Sequence, residues 1–127
     1  MNIKYKAQPK DMYCCGQCCV AMFAGISLHQ AFKAFGTKGS TKTKDISKAL
    51  RKLKNRSATR LMPIYGDFSK LPETAILKVK LDWEKYNWHW VLKCGGKIYD
   101  PGKNGVMLLS DYRKVKGYNI TSYLKIS

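Results

Sequence analysis

Acidic residues are scarce in this sequence: eight Asp and Glu stand against twenty-four Lys and Arg in 127 residues, giving a formal net charge of +16. The resulting positive field attracts nucleic acid, acidic proteins or anionic lipid, although a solvated lysine-rich surface has the same composition. No recognised nucleic-acid module and no basic motif with interleaved aromatic residues occurs. An acidic peptide or protein is therefore favoured over nucleic acid as a partner.

Long hydrophobic runs are absent too. The chain has no stretch of about 18 apolar residues, and its first residues lack the apolar core and cleavage site of a signal peptide. There is also no internal repeat and no Pro-, Gly- or Ser-rich linker. We expect one soluble domain over residues 1–127, located in the cytoplasm, or in a host cytoplasm if a phage or mobile element encodes it. The sequence leaves the oligomeric state open.

The cysteines do not suggest a disulfide framework. Their number, five, is odd, and four of them crowd into one short segment: Cys14, Cys15, Cys18 and Cys19. Some pairs among them have zinc-ligand spacing, which His89 or Cys94 could complete, but the usual second Cys-x-x-Cys or His pair is missing. We expect no metal and no cofactor, and we interpret Cys18 and Cys19 as small buried residues.

Helical patterns occupy the first part of the chain. A small, apolar segment predicts a helix over Cys15–Ala24, which Gly25 would end. Ser27 can cap a second helix over Leu28–Phe35, closed by Gly36.

A third helix follows Gly39, with Ser40 or Thr41 as its cap. Its apolar residues recur at four and three positions, which places one face against a core: Ile46, Leu50 and Leu53. The later segments predict strands at Arg60–Ile64, Ala75–Leu81, Trp88–Cys94, Lys97–Tyr99 and Ile120–Ile126. N-terminal helices packed on a C-terminal antiparallel sheet form an α+β domain, and a cleft between the two parts is the expected site.

The residues needed for thiol chemistry occur in both parts. A helix N-terminus and a neighbouring imidazolium both favour a thiolate, and Cys15 lies at the predicted start of the first helix, followed by Gly16, which would let a substrate backbone pass close to the sulfur. His89 lies in a predicted strand, and a hairpin turn at Gly95-Gly96 would bring Asp100 back near it. The carboxylate could then fix the imidazole tautomer.

An oxyanion formed at this site would need a hydrogen-bond donor. The side-chain amide of Gln8, seven residues before Cys15, is the candidate, and Gln17 is a weaker one. The interval from Gln8 suits Cys14 about as well as Cys15 as the nucleophile. Only Cys15 is followed by glycine, which favours it.

These motifs resemble the C39-like branch of the papain-like cysteine peptidases. The similarity consists of a Gln before Cys-Gly at the start of an apolar helix (Gln8 and Cys15–Met22) and of His89-Trp90-Val91 followed by a turn and Asp100-Pro101. It covers most of the chain. Family members fused to transport ATPases cut leader peptides after a Gly-Gly pair, but this chain has no membrane segment and no Walker motif, so we expect a free-standing protein.

The resemblance implies a papain-like fold and hydrolysis of a peptide or related amide through an acyl-enzyme on Cys15. It assigns His89 as general base, Asp100 as the group that orients it, and Gln8 as the oxyanion donor. Deamidation or acyl transfer by the same triad is an alternative, since only the second acceptor differs. Another is an inactive, basic binding protein for nucleic acid or an acidic protein.

Overall fold

The computed structural model describes residues 2–54, 56, 58, 60–82 and 88–126. The chain begins with two helices, α1 (Cys15–Ala24) and α2 (Leu28–Phe35), which have the predicted bounds. Gly25 and Gly36 end them in the left-handed conformation, at φ values of 68° and 76°. Ser27 caps α2 through a capping box with Gln30.

The third helix, α3, spans Thr43–Lys54 and starts later than predicted. The expected cap at Ser40 or Thr41 is wrong: the Asp45 carboxylate instead accepts the Lys42 backbone N–H at 2.8 Å. The preceding loop is held against α1, because Gln17 Nε2 donates to the carbonyls of Thr37 and Gly39 at 3.0 and 2.8 Å.

The predicted apolar face of α3 is confirmed. Ile46 and Leu50 are fully buried, and Leu53 packs against the same cluster. Among the described residues, no single helix is long and apolar enough to cross a membrane.

Within the described residues, six strands form one antiparallel sheet in the order β1-β6-β2-β3-β4-β5. They are β1 (Met62–Pro63), β2 (Thr74–Leu81), β3 (Trp88–Cys94), β4 (Lys97–Asp100), β5 (Gly105–Leu108) and β6 (Tyr118–Lys125). A short helix, α4 (Leu109–Tyr112), follows β5. The α+β architecture predicted from the sequence is therefore confirmed.

Three details of the sheet differ from the prediction. The first strand is shorter than expected, with Pro63, which has no N–H to donate, at the sheet edge. The last strand begins at Tyr118 rather than Ile120. Neither β5 nor α4 was predicted, because four residues carry too little periodicity to recognise; β4, equally short, was recognised from the Gly95-Gly96 turn before it.

Both faces of the sheet are covered. Trp90 and Leu92 point to the face packed on α1 and α3, where Cys19, Val20 and Leu50 are buried. Val91, which lies between them, points to the opposite face, where it is buried with Ala75, Leu77, Val79, Ile98, Tyr112 and Tyr118. The period of two along β3 thus assigns alternate residues to different cores.

Candidate active site

The β3–β4 hairpin brings His89 and Asp100 together. Cys94 pairs with Lys97 across the turn at Gly95-Gly96, and Gly95 has a φ of 61°, which glycine adopts without strain. His89 Nε2 lies 2.5 Å from Asp100 Oδ1. The expected approach of these two side chains is therefore present, with His89 on the opposite face from Trp90.

The Asp100 carboxylate is completely buried and accepts hydrogen bonds from four groups. Its Oδ1 accepts from His89 and from the Gly102 backbone N–H at 2.7 Å. Its Oδ2 accepts from the Tyr112 hydroxyl at 2.8 Å and from Asn104 Nδ2 at 3.2 Å. Each carboxylate oxygen thus has two donors, which is how a protein accommodates a buried negative charge.

Several of these partners were not recognised in the sequence. Tyr112 lies on the unpredicted α4, and burial together with the Asp100 charge raises the pKa of its hydroxyl above the usual range. Asn104 lies in the loop before the unpredicted β5. Tyr5 donates to the Asp100 backbone carbonyl at 2.5 Å from a segment 95 positions away. The Asn and Tyr side chains downstream of Asp100-Pro101 were the available signal.

His89 lies between Asp100 and Cys15. Its Nε2 is engaged by the carboxylate, so Nδ1 is the ring nitrogen left to interact with the Cys15 side chain. Burial disfavours the charged ring, but the hydrogen bonds and negative charges of Asp100 and Cys15 outweigh it and raise the pKa of His89 to about 10. For Asp100, burial is likewise outweighed, chiefly by His89, so the pKa of its carboxyl lies below the usual value.

Cys15 is the first residue of α1 and lines a cleft, whereas its cysteine neighbours are buried. The Cys15 sulfur also accepts the Trp90 backbone N–H at 3.4 Å. Burial raises the pKa of the thiols of Cys14, Cys18 and Cys19. Because a thiolate is the attacking species, burial makes Cys14, Cys18 and Cys19 poor candidates for the nucleophile. Cys18 and Cys19 are fully buried, as interpreted from the sequence.

The structure distinguishes the two glutamines named as oxyanion donors. Gln8 Oε1 accepts the Cys14 backbone N–H at 3.3 Å, and the Gln8 backbone N–H donates to the Pro101 carbonyl at 2.8 Å. The Gln8 side chain lines the same cleft as Cys15, with its amide NH₂ available to donate. Gln17 is buried, and its NH₂ group serves the loop carbonyls, so the weaker candidate is excluded.

Two glycines make close packing around the site possible. At Gly16 an added Cβ would lie 2.2 Å from Thr41 Oγ1, so the expectation that Gly16 admits a substrate backbone is wrong: the space belongs to the loop before α3. At Gly102 an added Cβ would lie 3.1 Å from Asp100 Oδ1 and 3.3 Å from His89 Nε2. Gly102 therefore lets the chain close tightly over the hydrogen-bonded pair.

The cleft has a volume of about 190 Å³ and lies where α1 meets the sheet. Its walls carry aromatic side chains from both parts of the chain, including Tyr13 and Trp88, which are 68% and 46% exposed. Lys78 Nζ lies 4.4 Å from the centroid of the Trp88 ring and holds that wall by a cation–π contact. Exposed aromatic rings beside a nucleophile offer apolar contact to a substrate side chain.

Other sequence expectations concern groups outside this cleft. His29 is exposed on α2, as an ordinary surface residue. Within the described ranges, His, Cys, Asp and Glu side chains form no group of three or more that could hold a metal ion. All five cysteines are free.

In the comparisons with known proteins, the chain significantly matches a solved structure but no family model and no curated sequence. Among solved structures, the chain is similar to the peptidase domain of Streptococcus ComA, a bifunctional ABC transporter involved in a quorum sensing pathway. The TM-score is 0.71 with 20% identity over 99% of this chain and 98% of that chain. The likeness confirms the predicted C39-like, papain-like peptidase fold.

Proposed function

We propose that the protein is a cysteine peptidase that cleaves a peptide bond through an acyl-enzyme on Cys15. The observation that carries the proposal is the position of the His89 ring: its Nε2 is hydrogen-bonded to the buried Asp100 carboxylate, and the ring lines the same cleft as Cys15, whose sulfur accepts the backbone N–H of the adjacent Trp90. Thiol catalysis requires a nucleophile, a base and a group that orients the base, in that order within an open cleft. The peptidase-domain fold supports the same assignment.

Attack begins from the pair of Cys15 thiolate and protonated His89, which forms when the thiol proton passes to Nδ1 and which the raised pKa of His89 favours. The sulfur then forms a bond to the scissile carbonyl carbon, and the carbonyl oxygen takes up the negative charge. The Cys15 backbone N–H, unpaired at the first turn of α1, and the Gln8 amide are the donors that would stabilise this oxyanion. The hydrogen bond that Gln8 Oε1 accepts from the Cys14 N–H supports this role, because it holds the amide beside the nucleophile.

Breakdown of the tetrahedral intermediate needs an acid. His89 gives its proton to the departing amine as the carbon–nitrogen bond breaks, and the acyl group stays on Cys15. Water, deprotonated by the same imidazole, then releases the acid and restores the thiol. Asp100 keeps its charge throughout, since four donors stabilise the carboxylate, and it holds Nε2, which leaves Nδ1 to exchange the proton with the sulfur.

The substrate in this proposal is a peptide or protein, and an acidic one is favoured by the net charge of +16. Deamidation and acyl transfer share every step up to the acyl-enzyme. Mass spectrometry of the products separates the three reactions, because hydrolysis yields two shortened peptides, whereas deamidation leaves the backbone intact and acyl transfer yields a new amide or ester.

Selective alkylation tests the nucleophile. We expect iodoacetamide, at neutral pH and substoichiometric amount, to label Cys15 at least about 10-fold faster than any other cysteine, because the others are buried or lack an imidazole partner. Peptide mapping by mass spectrometry identifies the labelled residue. An E-64-type epoxide should label the same sulfur and block hydrolysis of a mixed peptide library.

The matched control for alkylation is Cys94→Ser. Cys94 is the other cysteine that is partly exposed, and it lies at the far end of β3 from His89. Its replacement should leave the labelling of Cys15 unchanged. Equal labelling of Cys15 and Cys94 in the wild type would count against an activated nucleophile.

Gln8→Glu tests the oxyanion donor. The glutamate retains an oxygen that can accept the Cys14 N–H but loses the NH₂ group, so we expect kcat to fall by about 10²-fold with KM little changed. Steady-state kinetics on the best peptide from the library measures both constants.

Gln8→Ala serves as the comparison. If Gln8 only braced the Cys14 backbone, glutamate would restore activity that alanine loses. Rescue by glutamate would thus contradict the donor role, and equal losses in both variants would support it.

A further inference from the structure

The sequence Cys15-Gly16-Gln17-Cys18 is a Cys-x-x-Cys motif located at the N-terminus of α1. In this arrangement the first cysteine is reactive and accessible and the second is shielded, a combination found in dithiol–disulfide couples. Here Cys15 borders the cleft, and Cys18 has no exposed surface. The peptidase mechanism makes no use of Cys18.

Helix geometry places the two residues within disulfide range. Residues three apart in an α-helix have Cα atoms about 5 Å apart, inside the span of about 4.4–6.8 Å that disulfides occupy. The Cys18 sulfur also reaches towards the beginning of the helix, since it lies 4.0 Å from the sulfur of Cys14, the residue before Cys15. The Cys18 thiol is therefore held in the same turn as the nucleophile.

We propose that Cys15 and Cys18 are a reversible oxidation site, at which Cys18 captures an oxidised Cys15 sulfur as an intramolecular disulfide. The inference rests on the reactivity of Cys15 in the proposed function. Its physiological reagent is of the class of small disulfides, such as a tripeptide thiol in its oxidised form.

The reaction consists of two exchanges. The Cys15 thiolate attacks one sulfur of the small disulfide, forms a mixed disulfide and expels one thiolate. The Cys18 thiol then loses its proton and attacks the Cys15 sulfur, which expels the second small thiol carrying that proton. Overall, two protein thiols are oxidised to one disulfide, and one small disulfide is reduced to two thiols.

The burial of Cys18 determines which of the two cysteines reacts first. A reagent from solvent reaches Cys15 first, because Cys18 is enclosed. Burial also raises the pKa of the Cys18 thiol, so a dissolved disulfide meets little thiolate at that position. The resulting disulfide removes the nucleophile that His89 would activate. Reduction by a thiol returns Cys15 without the loss that direct oxidation to a sulfinic acid would cause.

Treatment of the intact wild-type protein with oxidised glutathione tests the proposal. We expect loss of two hydrogens in mass, a Cys15–Cys18 disulfide in the non-reduced peptide map, and at least about a 10-fold decrease in iodoacetamide labelling of Cys15. Dithiothreitol should restore the labelling. A lasting glutathionyl adduct on Cys15, or a disulfide between Cys14 and Cys18, would overturn the assignment.

Cys18→Ala and Cys19→Ala form a matched pair one residue apart in the same helix. The first should accumulate the glutathionyl adduct on Cys15, and the second should still form the disulfide. Circular dichroism checks that each variant is folded, and the wild-type map decides the question if one is not. If Cys15 reacts with iodoacetamide but not with glutathione disulfide, the oxidation site is contradicted and the proposed function stands. If Cys15 reacts with neither reagent, the proposed function is contradicted as well.

Discussion

Cys15→Ala is expected to lower kcat/KM for peptide hydrolysis by about 10⁴-fold or more. The variant keeps the cleft, the His89–Asp100 pair and the Gln8 amide, but no atom remains to form the acyl-enzyme. Folding should change little, because Cys15 is only partly buried and its replacement removes one sulfur from the cleft wall. Kinetics with the best library peptide, and a thermal melt of both proteins, measure the two quantities.

Cys14→Ala is the decisive control, since the sequence alone leaves both cysteines open as nucleophiles. The Cys14 side chain points into the protein, where it contacts the Cys18 sulfur, and its backbone N–H bonds Gln8 whichever side chain is present. We expect kcat/KM within about 5-fold of wild type and a modest loss of stability from the small cavity. Inactivity of Cys14→Ala combined with activity of Cys15→Ala would reassign the attacking sulfur.

Local signals were enough to predict the elements that position the site. Glycines at positions 25 and 36 end α1 and α2 where a left-handed residue is required, so both helices could be bounded from sequence. The Gly95-Gly96 turn fixes the hairpin that joins His89 to Asp100. Each of these features depends on a few neighbouring residues, which is why a single sequence suffices to recognise them.

Features that depend on distant parts of the chain could not be predicted. The difference between Cys14 and Cys15 arises from burial, which the packing of α1 on the sheet decides. Tyr5 reaches the Asp100 backbone carbonyl from a segment 95 positions away, and no short motif indicates such a contact. Gly16 was interpreted as part of the substrate path because its real neighbour, Thr41, is likewise remote in sequence.

Asp100→Asn is expected to lower kcat by about 10³-fold and to destabilise the fold by about 2–4 kcal/mol. An amide presents one NH₂ group where the carboxylate accepts four donors, so at least one buried donor loses its partner. The His89 ring also loses the group that holds Nε2. Tyr112→Phe is the comparison, because it removes one donor and keeps the charge. We expect it to lower the free energy of unfolding by about 1 kcal/mol and kcat by less than about 10-fold.

The pH dependence of Asp100→Asn separates an electrostatic role from simple damage to the fold. The Asp100 hydrogen bond and charge contribute to the raised pKa of His89, about 10 in the folded protein against 6.5 for an ordinary histidine. Their loss should move the alkaline limb of the kcat/KM profile to lower pH, because the imidazolium that pairs with the thiolate is lost earlier. An alkaline limb at the same pH in both proteins would contradict the role assigned to Asp100.

The shifted pKa values of His89 and Asp100 also determine how the free energy of unfolding depends on pH. A raised histidine pKa stabilises the folded state fully below pH 6.5, and this contribution is lost as the pH rises towards 10. The lowered pKa of Asp100 stabilises it above the ordinary value of 3.8, and that contribution is lost as the pH falls through the folded value. The difference in unfolding free energy between wild type and Asp100→Asn should therefore be largest between about pH 4 and 6.5 and shrink on both sides, which urea titrations across that range would measure.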